Sequence, residues 1–210
     1  MRLAVAVVVS GRGSNLLALL RALGTDAPAR VVLVVSNRAE SGGLEIARNH
    51  GIATHLLIQP EDSTEWLRVF GEHQVGLVVL AGFRKPVPAP VVEAYRGRMI
   101  NIHPALLPRH GGPGMYGHRV HQSVLAAGDT RSGATVHLVS EAYDQGPILG
   151  QATVPVLPGD TPERLAARVL EVEHQLLPAA VLAAADVGKA VPFQLRESDS
   201  AVGRQPATSN

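Results

Sequence analysis

Cysteine is absent from the 210 residues. That removes disulfides, thiolate nucleophiles, iron–sulfur clusters and Cys-based zinc sites together, and it fits a reducing compartment. A charge excess is absent too. Nineteen Lys and Arg stand against 18 Asp and Glu, for a formal net charge of +1, whereas a dedicated nucleic-acid binder concentrates a basic surplus. Lysine is nearly missing: only Lys85 and Lys189 belong to that basic set, a bias in keeping with a GC-rich genome rather than with chemistry. There is no long apolar run at the start. Met1 to Val9 is too short to span a bilayer, and Ser10-Gly11-Arg12-Gly13 follows without the basic n-region and long h-region of a signal peptide. The expectation is a soluble cytoplasmic protein with no membrane and no nucleic-acid partner.

The chain has enough of everything else to fold. It is 46% hydrophobic and 18% charged, so it can bury a core within one domain. Leu3–Val9, Val31–Val35 and Leu77–Leu80 are unbroken aliphatic runs, the pattern of strands buried on both faces of a parallel sheet. Between them, Asn15–Leu23, Gly43–His50 and Ser63–His73 have helical spacing. Strand and helix alternate, which is the signature of a doubly wound α/β fold with a mostly parallel sheet flanked by helices. A further strand is expected over Arg98–Ile102, and a long irregular loop over His103–Gly117; long loops in compact domains are often functional. Val120–Ala127 reads as a helix. Gly133–Ser140 and Ile148–Val156 read as strands joined by Glu141–Pro147. Thr161-Pro162-Glu163 opens a last helix with an N-cap and a Pro at N1, running to about Ala185 with Pro178 inside it. The domain is expected to occupy 1–190, with 191–210 a partly disordered tail.

Three short strings could carry chemistry. The first is Ser10-Gly11-Arg12-Gly13-Ser14-Asn15, between a strand and a helix. Glycines let the backbone approach an anion and the helix N-terminus offers free N–H groups. One phosphate suits it. A dinucleotide does not, because the G-x-G-x-x-G fingerprint would need Gly where Leu16 stands, and Ser36-Asn37-Arg38 supplies no acidic residue after the second strand. The plainer reading is a tight turn with a Ser N-cap. The second string is Asn101-Ile102-His103-Pro104. On a strand end, residues 101 and 103 share a face, so an Asn amide and a His imidazolium could donate to one developing oxyanion. The third is Glu141-Ala142-Tyr143-Asp144-Gln145-Gly146-Pro147, where Asp144 is either ordinary turn chemistry or the partner that holds His103 charged or relays its proton.

Weaker candidates remain. His118 and His121 stand at i, i+3 with His110 nearby, but no acidic ligand lies beside them, so exposed helical histidines are expected rather than a metal site. Glu171, Glu173 and His174 on the last helix read as a solvated, charged face. Arg84-Lys85 could meet a carboxylate or only water.

Taken together, Val9-Ser10-Gly11-Arg12-Gly13-Ser14-Asn15-Leu16, Val79-Leu80-Ala81-Gly82-Phe83, Asn101-Ile102-His103-Pro104-Ala105-Leu106-Leu107-Pro108 and Asp144-Gln145-Gly146-Pro147-Ile148 stand in one order. In these the chain resembles the phosphoribosylglycinamide formyltransferases of the folate-dependent formyltransferase family, over residues 1 to about 186. The resemblance implies a Rossmann-like variant with an antiparallel C-terminal portion. It implies formyl transfer from the co-substrate 10-formyltetrahydrofolate to the amine of a phosphorylated glycinamide, without a metal, by a monomer or homodimer. Carried onto matching positions, Asn101, His103 and Asp144 are the catalytic set. Gly13, Ser14 and Asn15 hold the ribose phosphate, and Leu170, Glu171, Val172 and Glu173 flank the glycinamide. The folate is lined by Thr64, by Arg84, Lys85, Pro86 and Val87, by Asn101, and by Ser140, Glu141, Ala142, Tyr143 and Asp144. The segment 84–87 departs from the Met-Arg-Ile-Leu common in the family, and Pro86 removes a backbone donor there. Glu61-Asp62-Ser63-Thr64 lacks an Arg that some members carry. Two relatives on the same scaffold compete. A formyltetrahydrofolate deformylase is expected to add an N-terminal regulatory domain, and a methionyl-tRNA formyltransferase an RNA-binding C-terminal one. A non-catalytic nucleotide binder would have no use for Asn101, His103 and Asp144 together.

Overall fold

The computed structural model describes residues 2–195. Seven strands form one sheet: β1 (Leu3–Val9), β2 (Ala29–Ser36), β3 (Ala53–Leu56), β4 (Leu77–Leu80), β5 (Met99–His103), β6 (Arg131–Leu138) and β7 (Ile148–Pro155). Their order is β3-β2-β1-β4-β5-β6-β7. The first five strands pair in parallel, while β6 and β7 run antiparallel. This is the doubly wound, mostly parallel architecture with an antiparallel C-terminal portion that the sequence implies. The helices are α1 (Ser14–Ala22), α2 (Gly42–Asn49), α3 (Ser63–Glu72), α4 (Ala89–Ala94), α5 (His118–Ala126) and α6 (Pro162–Val187).

The aliphatic runs become buried strands because both faces are covered. In β1, Val5, Val7 and Val9 enter the core beneath α1, α2 and α6, while Ala6 and Val8 enter the opposite core with Trp66, Phe70 and Tyr95. The aromatic side is braced edge to face: Phe70 lies 5.7 Å from Trp66 and 5.3 Å from Tyr95. Two elements were not anticipated. β3 is a four-residue edge strand with no buried position, too short and polar to show alternation. α4 is a six-residue helix opening on Pro88 and Pro90, in a stretch whose prolines read as loop.

Residues 191–195 are irregular. Within them the Phe193 N–H donates to the Leu149 carbonyl at 2.9 Å, beside β7. Residues 196–210, where most of the expected tail falls, lie outside the described residues.

Strand order reverses at β1: β2 lies on one side and β4 on the other. In open α/β sheets ligands bind outside the carboxyl ends of the strands at such a point. The segments leaving β1, β4 and β5 there are 10–15, 81–87 and 103–117.

Candidate active site

A cavity of about 700 Å³ opens at this switch point. One end is the loop after β1. Gly13 adopts φ +82° and serves as the N-cap of α1, with no side-chain cap, so the expected Ser cap is absent. No larger residue fits there: a Cβ on Gly13 would stand 2.7 Å from the Gly43 Cα. The turn before α2 braces the loop, with the Ser41 hydroxyl donating to the Gly11 carbonyl at 3.0 Å. Free N–H groups at the start of α1 are therefore presented to the cavity with the shape an anion needs. Asn37 is used structurally, accepting from the Ser10 hydroxyl at 2.7 Å. Arg38 pairs with Glu40 on the surface.

The middle of the cavity holds Asn101, His103 and Asp144 together. Asn101 and His103, two apart on β5, both line it. Asp144 arrives from the β6–β7 connection with φ +54°, and its Oδ2 lies 3.5 Å from His103 Nδ1. The Asn101 amide donates to Asp144 Oδ1 at 3.4 Å, and the Gly112 N–H donates to Oδ2 at 2.9 Å. Burial alone would raise the Asp144 carboxyl; its hydrogen-bond donors, the Gly112 N–H among them, outweigh it and hold the group below its ordinary value. His103 Nε2 lies 2.9 Å from the His110 carbonyl. A carbonyl only accepts, so Nε2 carries the proton of the neutral ring and Nδ1 is bare. Burial lowers the His103 pKa, against the opposing pull of Asp144 and the His110 carbonyl. The lowered pKa favours the neutral ring at rest, a protonation state that the sequence leaves open.

His137 was not singled out from the sequence. It stands opposite Asn101 in the β5–β6 register, which puts the two side chains on one face. Its Nδ1–H donates to the Leu138 carbonyl at 2.8 Å, and its Nε2 accepts from the Asn101 amide at 3.0 Å. It thereby fixes the direction of the Asn101 donor. The only signal in sequence was a His in an apolar strand, and pairing register is what gives it meaning.

α5 and α6 line the cavity beside the loop after β1. Glu173 is 7% exposed, which overturns its reading as a solvated charge. Burial pushes its carboxyl up to about 7, against the Asn15 amide, which donates to it at 3.3 Å. Asn15 Oδ1 is buried without a partner. His121, expected to be exposed, is 4% exposed and lines the same end. Burial, then His118 and His103, bring its pKa down to about 4, and its Nδ1 also lacks a partner. Unpaired buried atoms cost about 1–3 kcal/mol each, a cost a polar ligand relieves. His118 is exposed, 3.5 Å from Glu163. His110 bonds Ser123 and Asp129 instead of approaching these two. No group of three metal-binding side chains occurs among the described residues.

Gly13, Ser14, Leu170, Arg84, Lys85, Pro86, Val87, Ser140, Glu141, Ala142 and Tyr143 all line the cavity. Three residues implied by resemblance do not. Thr64 is exposed at the start of α3, its N–H donating to the Asp62 cap. Glu171 faces solvent and Val172 packs on the core, because α6 turns them away from Leu170 and Glu173. At the cavity's Tyr116, the Arg84 and Arg119 guanidinium groups lie 5.7 and 5.6 Å from the ring centre.

Residues 3–181 match the formyl transferase family. Over 181 residues the sequence is 44% identical to a chloroplastic phosphoribosylglycinamide formyltransferase of Vigna unguiculata, covering 81% of this chain and 57% of that protein. It is 41% identical to the phosphoribosylglycinamide formyltransferase of Escherichia coli, covering 83% of each. The match thus spans less than two thirds of the plant relative's length. Among solved structures, the phosphoribosylglycinamide formyltransferase of Anaplasma phagocytophilum superposes with a TM-score of 0.83 at 41% identity, covering 89% of this chain and 88% of that one. A formyltetrahydrofolate deformylase from Pseudomonas syringae superposes at 0.79 but at 26% identity, covering 89% of this chain and 62% of that one.

Proposed function

Because the chain belongs to the formyl transferase family, we propose that it moves the formyl group of 10-formyltetrahydrofolate onto the amine of 5-phosphoribosylglycinamide, a step of purine synthesis. One observation carries this reading. A single cavity joins an anion-shaped glycine loop at Gly13–Asn15 to the Asn101, His103 and Asp144 cluster, with a second wall at 84–87 and 140–144 for the folate.

The chemistry follows from the residues. The neutral glycinamide nitrogen attacks the formyl carbon; a C–N bond forms and the carbonyl oxygen becomes O⁻. The Asn101 amide stabilises that oxygen, joined by the His103 Nδ1–H once that nitrogen has taken up a proton. The bare Nδ1 of His103 takes the proton released by the attacking nitrogen, and Asp144 stabilises the imidazolium that results. The C–N10 bond then breaks, N10 receives the proton, and tetrahydrofolate leaves. Ser14 and Asn15 hold the phosphorylated end, and Leu170 and Glu173 flank the glycinamide. A cytoplasmic location, and action as a monomer or homodimer on small molecules, belong to the same reading.

The test is a spectroscopic folate assay with 10-formyltetrahydrofolate, with and without the ribonucleotide. Tetrahydrofolate release that requires the ribonucleotide, with a formylated product seen by mass, is expected. Release without any acceptor would replace this reading with the deformylase. No release would send it to another acceptor or to a binding role.

A further inference from the structure

We propose that His110 is a positioning residue for His103, acting through its main-chain carbonyl and held in place by Ser123 and Asp129. The inference rests on the transfer reading only for its kinetic arm.

The His110 carbonyl is the acceptor that fixes the proton of His103 on Nε2, at 2.9 Å. The loop that carries it has no regular structure from residue 104 to 117, so something must hold one carbonyl still. His110 itself adopts φ +57°, a left-handed conformation that disfavours an L side chain and persists where surroundings over-determine it. Its side chain supplies that determination. His110 Nε2 bonds Asp129 Oδ2 and its Nδ1 bonds the Ser123 hydroxyl, each at 2.8 Å. A carboxylate only accepts, so Nε2 carries a proton and Ser123 completes Nδ1. Asp129 is held in turn by Arg109 at 2.8 Å. Ser123 lies on α5 and Asp129 just before β6, so the clamp ties the loop to two rigid elements.

The consequence reaches the chemistry without touching it. Neither Ser123 nor Asp129 lines the cavity. With the His110 carbonyl in place, the neutral His103 has one tautomer, and its bare nitrogen is the one beside Asp144. With the carbonyl displaced, the ring can move its proton to Nδ1 and donate it to Asp144. The nitrogen needed to accept a proton is then blocked.

The experiment is nitrogen-15 NMR of the histidine-labelled full chain, comparing the parent with Ser123→Ala, Asp129→Asn and the double variant. The parent is expected to show His103 protonated at Nε2 and bare at Nδ1. The double variant is expected to show a mixture of tautomers. Its kcat for formyl transfer should fall on the order of tenfold to a hundredfold, as small misplacements do, with the ribonucleotide KM within about twofold. Ser123→Ala removes one hydroxyl and keeps the Arg109 ion pair, so it tests the clamp if Asp129→Asn fails to fold. A parent ring bare at Nε2, or variants with the parent's tautomer and kcat, would overturn the proposal. A parent with the expected tautomer but no transferase activity would count against the transfer reading alone.

Discussion

His103 and Glu173 are both buried and titratable, and burial drives each toward its neutral form. In the proposed transfer the neutral His103 ring is the working one, since it must accept a proton before it can give one back. His103→Ala should therefore lower kcat on the order of 10²–10³-fold or more while the ribonucleotide KM stays within a few fold, because the phosphate end at Gly13–Asn15 is untouched. Steady-state kinetics with both substrates varied checks this, and an unchanged kcat would remove His103 from the mechanism. Glu173 carries a cost. Its carboxyl is raised to about 7 by burial from an ordinary value of 4.5. Between those values the folded protein binds a proton that the unfolded chain has released, so stability falls as pH rises through this window. The loss is on the order of 3 kcal/mol once the pH is above 7. Glu173→Gln removes the titration. The variant should gain on the parent in urea melts as pH goes from 5 to 8, and should raise the ribonucleotide KM. A stability difference that does not change with pH would mean that Glu173 is not strained by burial.

Elements place these groups, and here the sequence was legible in some stretches and not in others. β1 and β4 fall where their unbroken aliphatic runs put them, since a strand covered on both faces leaves no polar position to blur its ends. β3 and α4 are short and lie where polarity and proline mask periodicity. The Asn101 and His103 pair was legible from strand alternation. Their meeting with Asp144 was not, because the 40 to 42 residues between them can be folded many ways and only the β5–β6 register closes the distance. Glu173 carries a signal in the sequence: it continues the stripe Leu165, Val169, Leu176, Leu177 and Ala180 on the buried face of α6, where a charge is exceptional. The loop before α1 gives a prediction of its own. Gly13→Ala must fit a Cβ 2.7 Å from the Gly43 Cα at φ +82°, so either the loop or α2 must shift. The variant should lose at least about 1 kcal/mol in denaturant unfolding and bind the ribonucleotide weakly. Ser14→Ala with Asn15→Ala should raise KM with little change in melting. If Gly13→Ala folds and binds as the parent does, the loop is a plain turn rather than an anion cradle.

In the proposed reading the domain joins two ligand walls through one sheet: the phosphate end on β1 and α1 and the folate wall on the segments after β4 and β6, with the reacting cluster on β5 between them. Each ligand then stabilises the fold by its own contacts. At a free concentration a hundredfold above its Kd, a ligand adds about 2.7 kcal/mol, which for a domain of this size raises Tm by roughly 5–10 °C. The ribonucleotide and a non-reactive folate analogue should each give a shift of that order, and together nearly the sum, because separate walls carry them. Variants sort the two. Asn15→Ala should lose the ribonucleotide shift and keep the folate shift. His103→Ala should keep both while turnover is lost, since it removes a proton carrier rather than a wall. Thermal melts of parent and variants, with each ligand alone and with both, decide the matter. A folate analogue that leaves Tm unmoved in the parent would take the folate away from the 84–87 and 140–144 wall. A shift from folate that Asn15→Ala abolishes would show that the two ligands share one end of the cavity, and the division of the site between β1 and β4 would fall with it.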